Sequence, residues 1–319
     1  MDLPPSFVIP ENTFPDRADK ILAGYLASGQ SRSSVARVIR SGRVLVKGRP
    51  ISPSTVLSPG DQIEILPEKV VATTEPEIEV PSFGIIFEDE DLIVVDKPPG
   101  IVVHPGARRP SNTLMDVLIS TRPEMKGVGE QGRWGVVHRL DRDTSGVMVF
   151  AKTVAAHAAL SAQFKAHSIH RVYVALVRGN PGQESGLVDV TIGRHVKERK
   201  RMSTTTGKGR RAVTRWRVKE RFGGLTLLEV YPETGRTHQI RVHLAHIGLP
   251  VAGDPVYGKM RGKGGASDPK VRKALEMLKR QALHAAVLGF VHPRSQKYVE
   301  FFSPLPTDMA EAIKICGGS

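Results

Sequence analysis

Residues 135–153 read GVVHRLDRDTSGVMVFAKT. Val136 and Val137 form a short apolar run that leads into His138, Arg139, Leu140 and Asp141, and a second apolar run at 147–150 follows Gly146. The spacing predicts a strand that delivers residues 138–141 into a turn relaxed by Gly146, then another strand. Thr153 is placed to cap a helix running to about His167. Outward from this segment the same grammar recurs. Residues 85–87, 92–96 and 101–103 are short apolar runs separated by Glu-Asp-Glu-Asp and Lys-Pro-Pro-Gly. Residues 172–177 are apolar on both faces, as in a central strand. Residues 211–221 and 225–231 form a hairpin about Gly223-Gly224. Thr237 caps a helix stopped by Gly248, Asp268-Pro269 opens another, and residues 297–302 make a late strand. Many strands joined by turns, with helices interspersed irregularly, predict an α+β fold on a mostly antiparallel sheet.

Residues 67–82, PEKVVATTEPEIEVPS, have no helical or strand period and read as a linker. They separate a small module at 16–66 from a large domain at 83–306, with a C-terminal tail at 307–319. In the module, Ile21, Leu22, Tyr25 and Leu26 recur at helical spacing, with Gly29 as a stop. Ser31 or Ser33 caps a second helix with the apolar face Val35, Val38 and Ile39, ended by Gly42. Val44 and Val46, a Lys47-Gly48 turn and a strand at 62–66 complete a small α+β unit. Arg32, Arg37, Arg40 and Arg43 cluster around the second helix, either as a solvated face or as phosphate contacts.

The chain has 319 residues, 46 Lys+Arg against 32 Asp+Glu and a formal net charge of +14. Residues 1–66 carry +2, the linker −3 and the remainder +15. Residues 194–217 concentrate the excess, with ten Lys+Arg and one Glu, and read as a mobile basic loop. Such a charge favours a polyanionic partner. The single cysteine, Cys316, excludes an internal disulfide and a thiolate zinc cluster. The N-terminal segment lacks an apolar signal-peptide core, and no stretch approaches the ~18 apolar residues of a membrane span. A soluble cytoplasmic protein is expected.

Asp141 lies between Arg139 and Arg142, which favour its ionised form. It is either a nucleophile or base, or a structural Asp bonding backbone N–H groups in a turn. Residues 234–258 supply Arg236, His238, Arg241, His243 and His246. The histidine spacing matches no metal motif, so no metal site is expected. Gly253-Asp254-Pro255 is read as a simple turn.

Together these residues resemble a known family. His138-Arg139-Leu140-Asp141, Asp143-Thr144-Ser145-Gly146 and Ala151-Lys152 are similar to the central motif of the ribosomal large-subunit pseudouridine synthases of the RluA/RluD type. The resemblance extends to Asp96-Lys97-Pro98, Gly100, the strand around Tyr173, residues 234–246 and 253–258, Arg280 to Ala285, and His292-Pro293. The N-terminal module resembles the αL RNA-binding module of the ribosomal-protein S-four type, with Lys47 where Asn is usual in its turn. That arrangement is RluD-like.

The resemblance implies a pseudouridine synthase fold: a mostly antiparallel mixed central sheet plus the small RNA-binding module. It implies isomerisation of specific uridines in large-subunit ribosomal RNA, free or in a pre-ribosomal particle, by base flipping and without cofactor. A role in ribosome biogenesis and a monomeric state accompany it. Asp141 is then the essential carboxylate, Arg236 its paired arginine, and Tyr173 the tyrosine stacked on the flipped uracil. Arg139 enters the RNA stack. Arg32, Arg37, Arg40, Arg43, Lys200, Arg201, Arg210 and Arg211 are the expected RNA contacts. Arg171 replaces the usual Lys of the Lys-x-Tyr pattern and keeps a cation. A non-catalytic RNA-binding assembly factor is the alternative that the basic composition alone would suit.

Overall fold

A computed structural model describes residues 6–25, 32–66, 82–104, 113–195, 198, 201–206, 209–259 and 268–317. The chain divides into two compact units, Met1–Glu77 and Ile78–Ser319. The proposed Gly29 stop, the Ser31 cap and most of the linker lie outside the described residues.

The first unit contains β1 (Ser6–Val8), β2 (Asp16–Arg17), α1 (Ala18–Tyr25), α2 (Arg32–Arg40), β3 (Val44–Val46), β4 (Arg49–Pro50), β5 (Val56–Leu57) and β6 (Gln62–Ile65). Strands in the order β1-β6-β3-β4 form one antiparallel sheet. Ile21, Leu22, Val35 and Ile39 from the helices pack on Val44, Ile63 and Ile65 from that sheet. Lys47 and Gly48, which join β3 to β4, both have positive φ, 51° and 74°. A two-residue hairpin turn of this hand suits right-twisted strands. Lys47 therefore adopts the conformation that an Asn would take more readily.

The second unit begins with β7 (Gly84–Glu88) and β8 (Leu92–Lys97). Helix α3 (Leu114–Thr121), a 3-10 turn (Pro123–Met125), β9 (Ser145–Ala151) and α4 (Val154–Ala166) follow. Then come β10 (His170–Arg178), β11 (Ser185–Arg194), β12 (Met202–Ser203), β13 (Arg210–Arg221) and β14 (Leu225–Pro232). The chain ends with α5 (Gln239–His246), α6 (Pro269–Met277), β15 (Leu283–Val291), β16 (Tyr298–Phe302) and α7 (Thr307–Ile315). The strands form one sheet in the order β12-β11-β13-β14-β10-β15-β9-β8-β7, with β16 also paired to β15. Only the β15–β9 pairing is parallel among the described strands. The mixed, mostly antiparallel α+β fold agrees with the reading from sequence.

Period-two alternation sorts β8 and β9 between two cores. Ile93, Val95, Met148 and Phe150 meet Leu114, Met115 and Leu118 of α3. Leu92, Val94, Val147 and Val149 meet Ala156 and Leu160 of α4. Thr153 caps α4, accepting the N–H of Ala156, and His167 closes it in the left-handed region. The third and largest core packs α5, α6 and α7 on β10, β13 and β14.

The register positions the site. Gly146 of β9 faces Ala285 of β15, Ala285 faces Tyr173 of β10, and Tyr173 faces Val230 of β14. A bulge in the β10–β15 pairing falls between Val172 and Tyr173. One row across the sheet thus ties Tyr173 to the start of β9, immediately after the loop holding Asp141. Gly146 has a φ of 118°, and a Cβ there would run into the backbone oxygen of Ala285. Gly146→Ala is expected to cost more than about 3 kcal/mol through strain and forced separation of β9 from β15. Urea denaturation measures it, and a loss under 1 kcal/mol would contradict this role.

Several details differ from the sequence reading. Residues 101–103 form no strand: the carbonyls of Val102 and Val103 accept the N–H groups of Leu114 and Met115 in the unpaired first turn of α3. Val136 makes an isolated bridge to Phe150, so Asp141 precedes strand β9 and ends no strand of its own. Helix α5 starts at Gln239 after a left-handed His238, not at a Thr237 cap. Residues 307–315, assigned to a tail, form α7, whose Met309, Ala312 and Ile313 are buried. The basic run at 194–217 includes β12 and most of β13.

Candidate active site

The loop before β9 is held by its own backbone oxygens. Lys97, 0 % exposed, donates from Nζ to the carbonyls of Pro98, Ile101 and Arg142 at 2.8–3.0 Å. Burial pushes its pKa down to about 7, while the three carbonyls match the three protons of an ammonium. Gly100 N–H also reaches the Arg142 carbonyl, and Arg280 Nη1 donates to that of Asp143. Leu140 is buried beside α3, so its neighbours Arg139 and Asp141 face outward. His138 is fixed by accepting the Val149 N–H at Nε2 and by stacking on Phe164. Burial pushes its pKa down to about 3, which keeps it neutral.

Asp141 pairs with Arg241, whose Nη1 donates to Oδ2 at 2.8 Å. Arg241 also donates from Nε and Nη2 to Asp254, at 2.7 and 3.0 Å. Asp254 is wholly buried and accepts the N–H groups of Val256 and Tyr257 as well. Burial pulls the Asp254 pKa upward, but the Arg241 bonds outweigh it and hold the carboxyl below its usual range. Burial likewise opposes the charge of Arg241, and its bonds to Asp254 and Asp141 overcome this. A bidentate guanidinium anchored on one carboxylate thus orients the other. Oδ1 of Asp141 remains open towards His238 Nε2, 3.9 Å away.

This corrects the pairing expected from sequence. Arg236 bonds the Arg211 carbonyl through Nε, at 3.3 Å, and lines the cavity without pairing to Asp141. The turn at 234–239 is organised by buried Gln239, whose Oε1 accepts from Thr234 Oγ1 and Arg236 N. Arg241 lies inside α5, where it can turn towards Asp141 and Asp254 together. The missed signal was its setting: residues 239–244 are all buried, and a cation there must find a carboxylate. Asp254 was the one to look for.

A cavity of about 520 Å³ opens over the site, lined by Arg139, Asp141, Arg171, Tyr173, Arg236 and Arg241 among others. A second, of about 370 Å³, shares Arg139, Asp141, His238 and Arg241. Asp141 therefore stands where two open cavities meet, with Arg139 exposed between them. Burial pushes the Tyr173 hydroxyl pKa up, so it is un-ionised at neutral pH.

Comparison with known proteins shows the family. Residues 91–246 match the family model described as RNA pseudouridylate synthase, and residues 17–63 match the S4 domain. An uncharacterized RNA pseudouridine synthase of Bacillus subtilis, YlyB, is 41% identical over 302 residues, covering 94% of this chain and 93% of that protein. The chain belongs to the RNA pseudouridine synthase family. Ribosomal large subunit pseudouridine synthase D of Escherichia coli O6:H1 is 41% identical over 310 residues, with 96% of this chain and 92% of that protein covered. The human protein RNA Pseudouridylate Synthase Domain Containing 4 has the same fold, with a TM-score of 0.58 and 24% identity over 73% of this chain and 93% of that one.

The cations of this RNA pseudouridine synthase are partly neutralised, which the sequence did not reveal. Arg211 grips Asp189 through Nε and Nη2, and Arg215 and Arg217 pair with Glu233 and Glu229. Arg201 pairs with Glu198 and lies over the Tyr257 ring. Arg43 bonds the Leu66 carbonyl. Arg40 and Arg210 are exposed, whereas Lys200 and the side chains of Arg32 and Arg37 lie outside the described residues. Arg142 turns towards Asp143 and the Gly100 carbonyl, so the cation at Asp141 is Arg241.

Proposed function

We propose that this synthase converts uridines of large-subunit ribosomal RNA to pseudouridine, with Asp141 as the reacting carboxylate. Arg139 enters the RNA stack beside the extruded nucleotide, and Tyr173 lies against its uracil. In the reaction C1′–N1 breaks and C1′–C5 forms, C5 loses its proton to solvent and N1 gains one, so nothing is oxidised and no group is imported. The observation that carries this reading is that Asp141 lines a cavity of about 520 Å³ while Arg241 fixes Oδ2 and, among the described residues, no hydrogen bond takes up Oδ1. That volume lies in the ~300–1,000 Å³ range of small-ligand sites. Attack on the sugar, addition to the ring and removal of a sugar proton all use such an oxygen.

The choice of RNA is supported by relatives named ribosomal large subunit pseudouridine synthase D and by the S4 domain. The protein would act in the cytoplasm as a monomer during ribosome biogenesis. Arg40 and Arg210 are the described cations best placed for phosphate contact. The test is a map of pseudouridines in large-subunit RNA from cells with and without the gene. Defined sites should vanish without it and return with the wild-type gene but not with Asp141→Asn; an unchanged map would refute the substrate.

A further inference from the structure

His238 is the titratable group nearest the open oxygen of Asp141 that the preceding roles leave unused. It is half-buried at the start of α5, in the left-handed region at a φ of 56°. Its Nδ1 lies 3.0 Å from Tyr257 Oη. Tyr257 Oη in turn accepts the Met202 N–H, at 2.8 Å, from strand β12 in the basic segment. The ring of Tyr257 sits near two guanidiniums, Arg201 at 5.6 Å and Arg241 at 5.2 Å.

These bonds favour one tautomer. With its oxygen accepting from Met202, Tyr257 has its own proton to give to His238 Nδ1. Burial pushes the Tyr257 hydroxyl up and His238 down, so the phenol keeps its proton and the imidazole is neutral. A neutral imidazole that accepts at Nδ1 carries its proton on Nε2. That N–H stands 3.9 Å from Asp141 Oδ1, too far for a direct bond, and one oxygen about 2.8 Å from each fits between them at an angle of about 90°. The bridging group must accept from an N–H and donate to a carboxylate. Water and a hydroxyl do both, whereas a carbonyl, ether or phosphate oxygen only accepts. On a uridine whose C1′ approaches Asp141, the adjacent hydroxyl is the 2′-OH.

We propose that His238 donates its Nε2–H to the 2′-hydroxyl of the target uridine, which bonds Asp141 Oδ1, and that Tyr257 fixes the tautomer required. The inference rests on the reading of Asp141 as the reacting carboxylate. It makes His238 a specificity residue for ribose, the feature by which a protein tells RNA from DNA.

The test compares two RNA strands, one with uridine and one with 2′-deoxyuridine at the target position, in single-turnover tritium release. His238→Asn tolerates the left-handed backbone, keeps a partner for Tyr257 and removes only the Nε2 arm. On the ribose strand it should slow release about tenfold, the worth of one neutral hydrogen bond, at unchanged RNA affinity. On the deoxy strand it should match the wild type within about threefold, because the partner is already gone. His238→Gln, whose amide reaches the Nε2 position, should recover most of the rate. An equal penalty for His238→Asn on both strands, or none on either, overturns the proposal. Failure of the wild type to release tritium from the ribose strand would instead strike at the uridine reading itself.

Discussion

Asp141→Asn is expected to lower tritium release from C5-labelled RNA by at least about 10⁴-fold, the scale on which enzymes lose a reacting group. The substitution keeps the shape of the side chain and leaves an oxygen for Arg241. Arg241 retains both bonds to Asp254, and the loop keeps the Lys97 and Arg280 bonds, which go to backbone carbonyls and not to Asp141. The fold and the phosphate contacts should therefore be intact, with RNA affinity changed by less than about threefold. Affinity is read by filter binding and rate by single turnover. A variant retaining a tenth of the wild-type rate would remove Asp141 from the chemistry.

Arg241→Met is expected to do two kinds of damage. It strands Asp254, whose side chain has no exposure, and breaking such a pair from one side costs about 3–5 kcal/mol. It also releases Asp141, so activity should fall well beyond what lost folding explains. The two effects separate in Arg241→Met/Asp254→Leu: replacing both charges by apolar groups should recover most of the stability and none of the rate. The pH dependence has a definite sign. In the wild type the Asp254 carboxyl is held below its usual range, so its contribution is present above about pH 3.9 and lost as the pH falls through the lower folded value. In Arg241→Met, burial without a cation lifts that carboxyl, and protonation relieves the unpaired charge. The stability gap between the two proteins should therefore narrow as the pH drops towards 4. Urea titrations at pH 7 and pH 4.5 measure it; a gap that widens would contradict the buried pair.

What was legible in the sequence was local. Short apolar runs between turn residues mark β8, β9, β10 and the β13–β14 hairpin, while Thr153 and Asp268 mark the starts of α4 and α6, because such runs and caps are properties of neighbouring residues. Asp141, Arg139 and Tyr173 are singled out by motif, and all three line one cavity. The arginine partner was misassigned because Arg236 and Arg241 belong to the same short motif. Only the start of α5 at Gln239, and the buried Asp254 thirteen residues on from Arg241, decide which of them reaches Asp141. The basic run misled for a similar reason. Its carboxylate partners Asp189, Glu229 and Glu233 sit across the β11–β13 and β13–β14 ladders, and strand pairing is invisible to a charge count.

The central claim, that this site isomerises uridine through Asp141 without imported chemistry, is tested most directly by one measurement. Purified protein is incubated in EDTA with unmodified large-subunit ribosomal RNA carrying tritium at uridine C5. Tritium should pass to water in step with pseudouridine recovered from the digested RNA, a few equivalents per RNA and no more. No release above the Asp141→Asn background, or release without pseudouridine, would contradict the account.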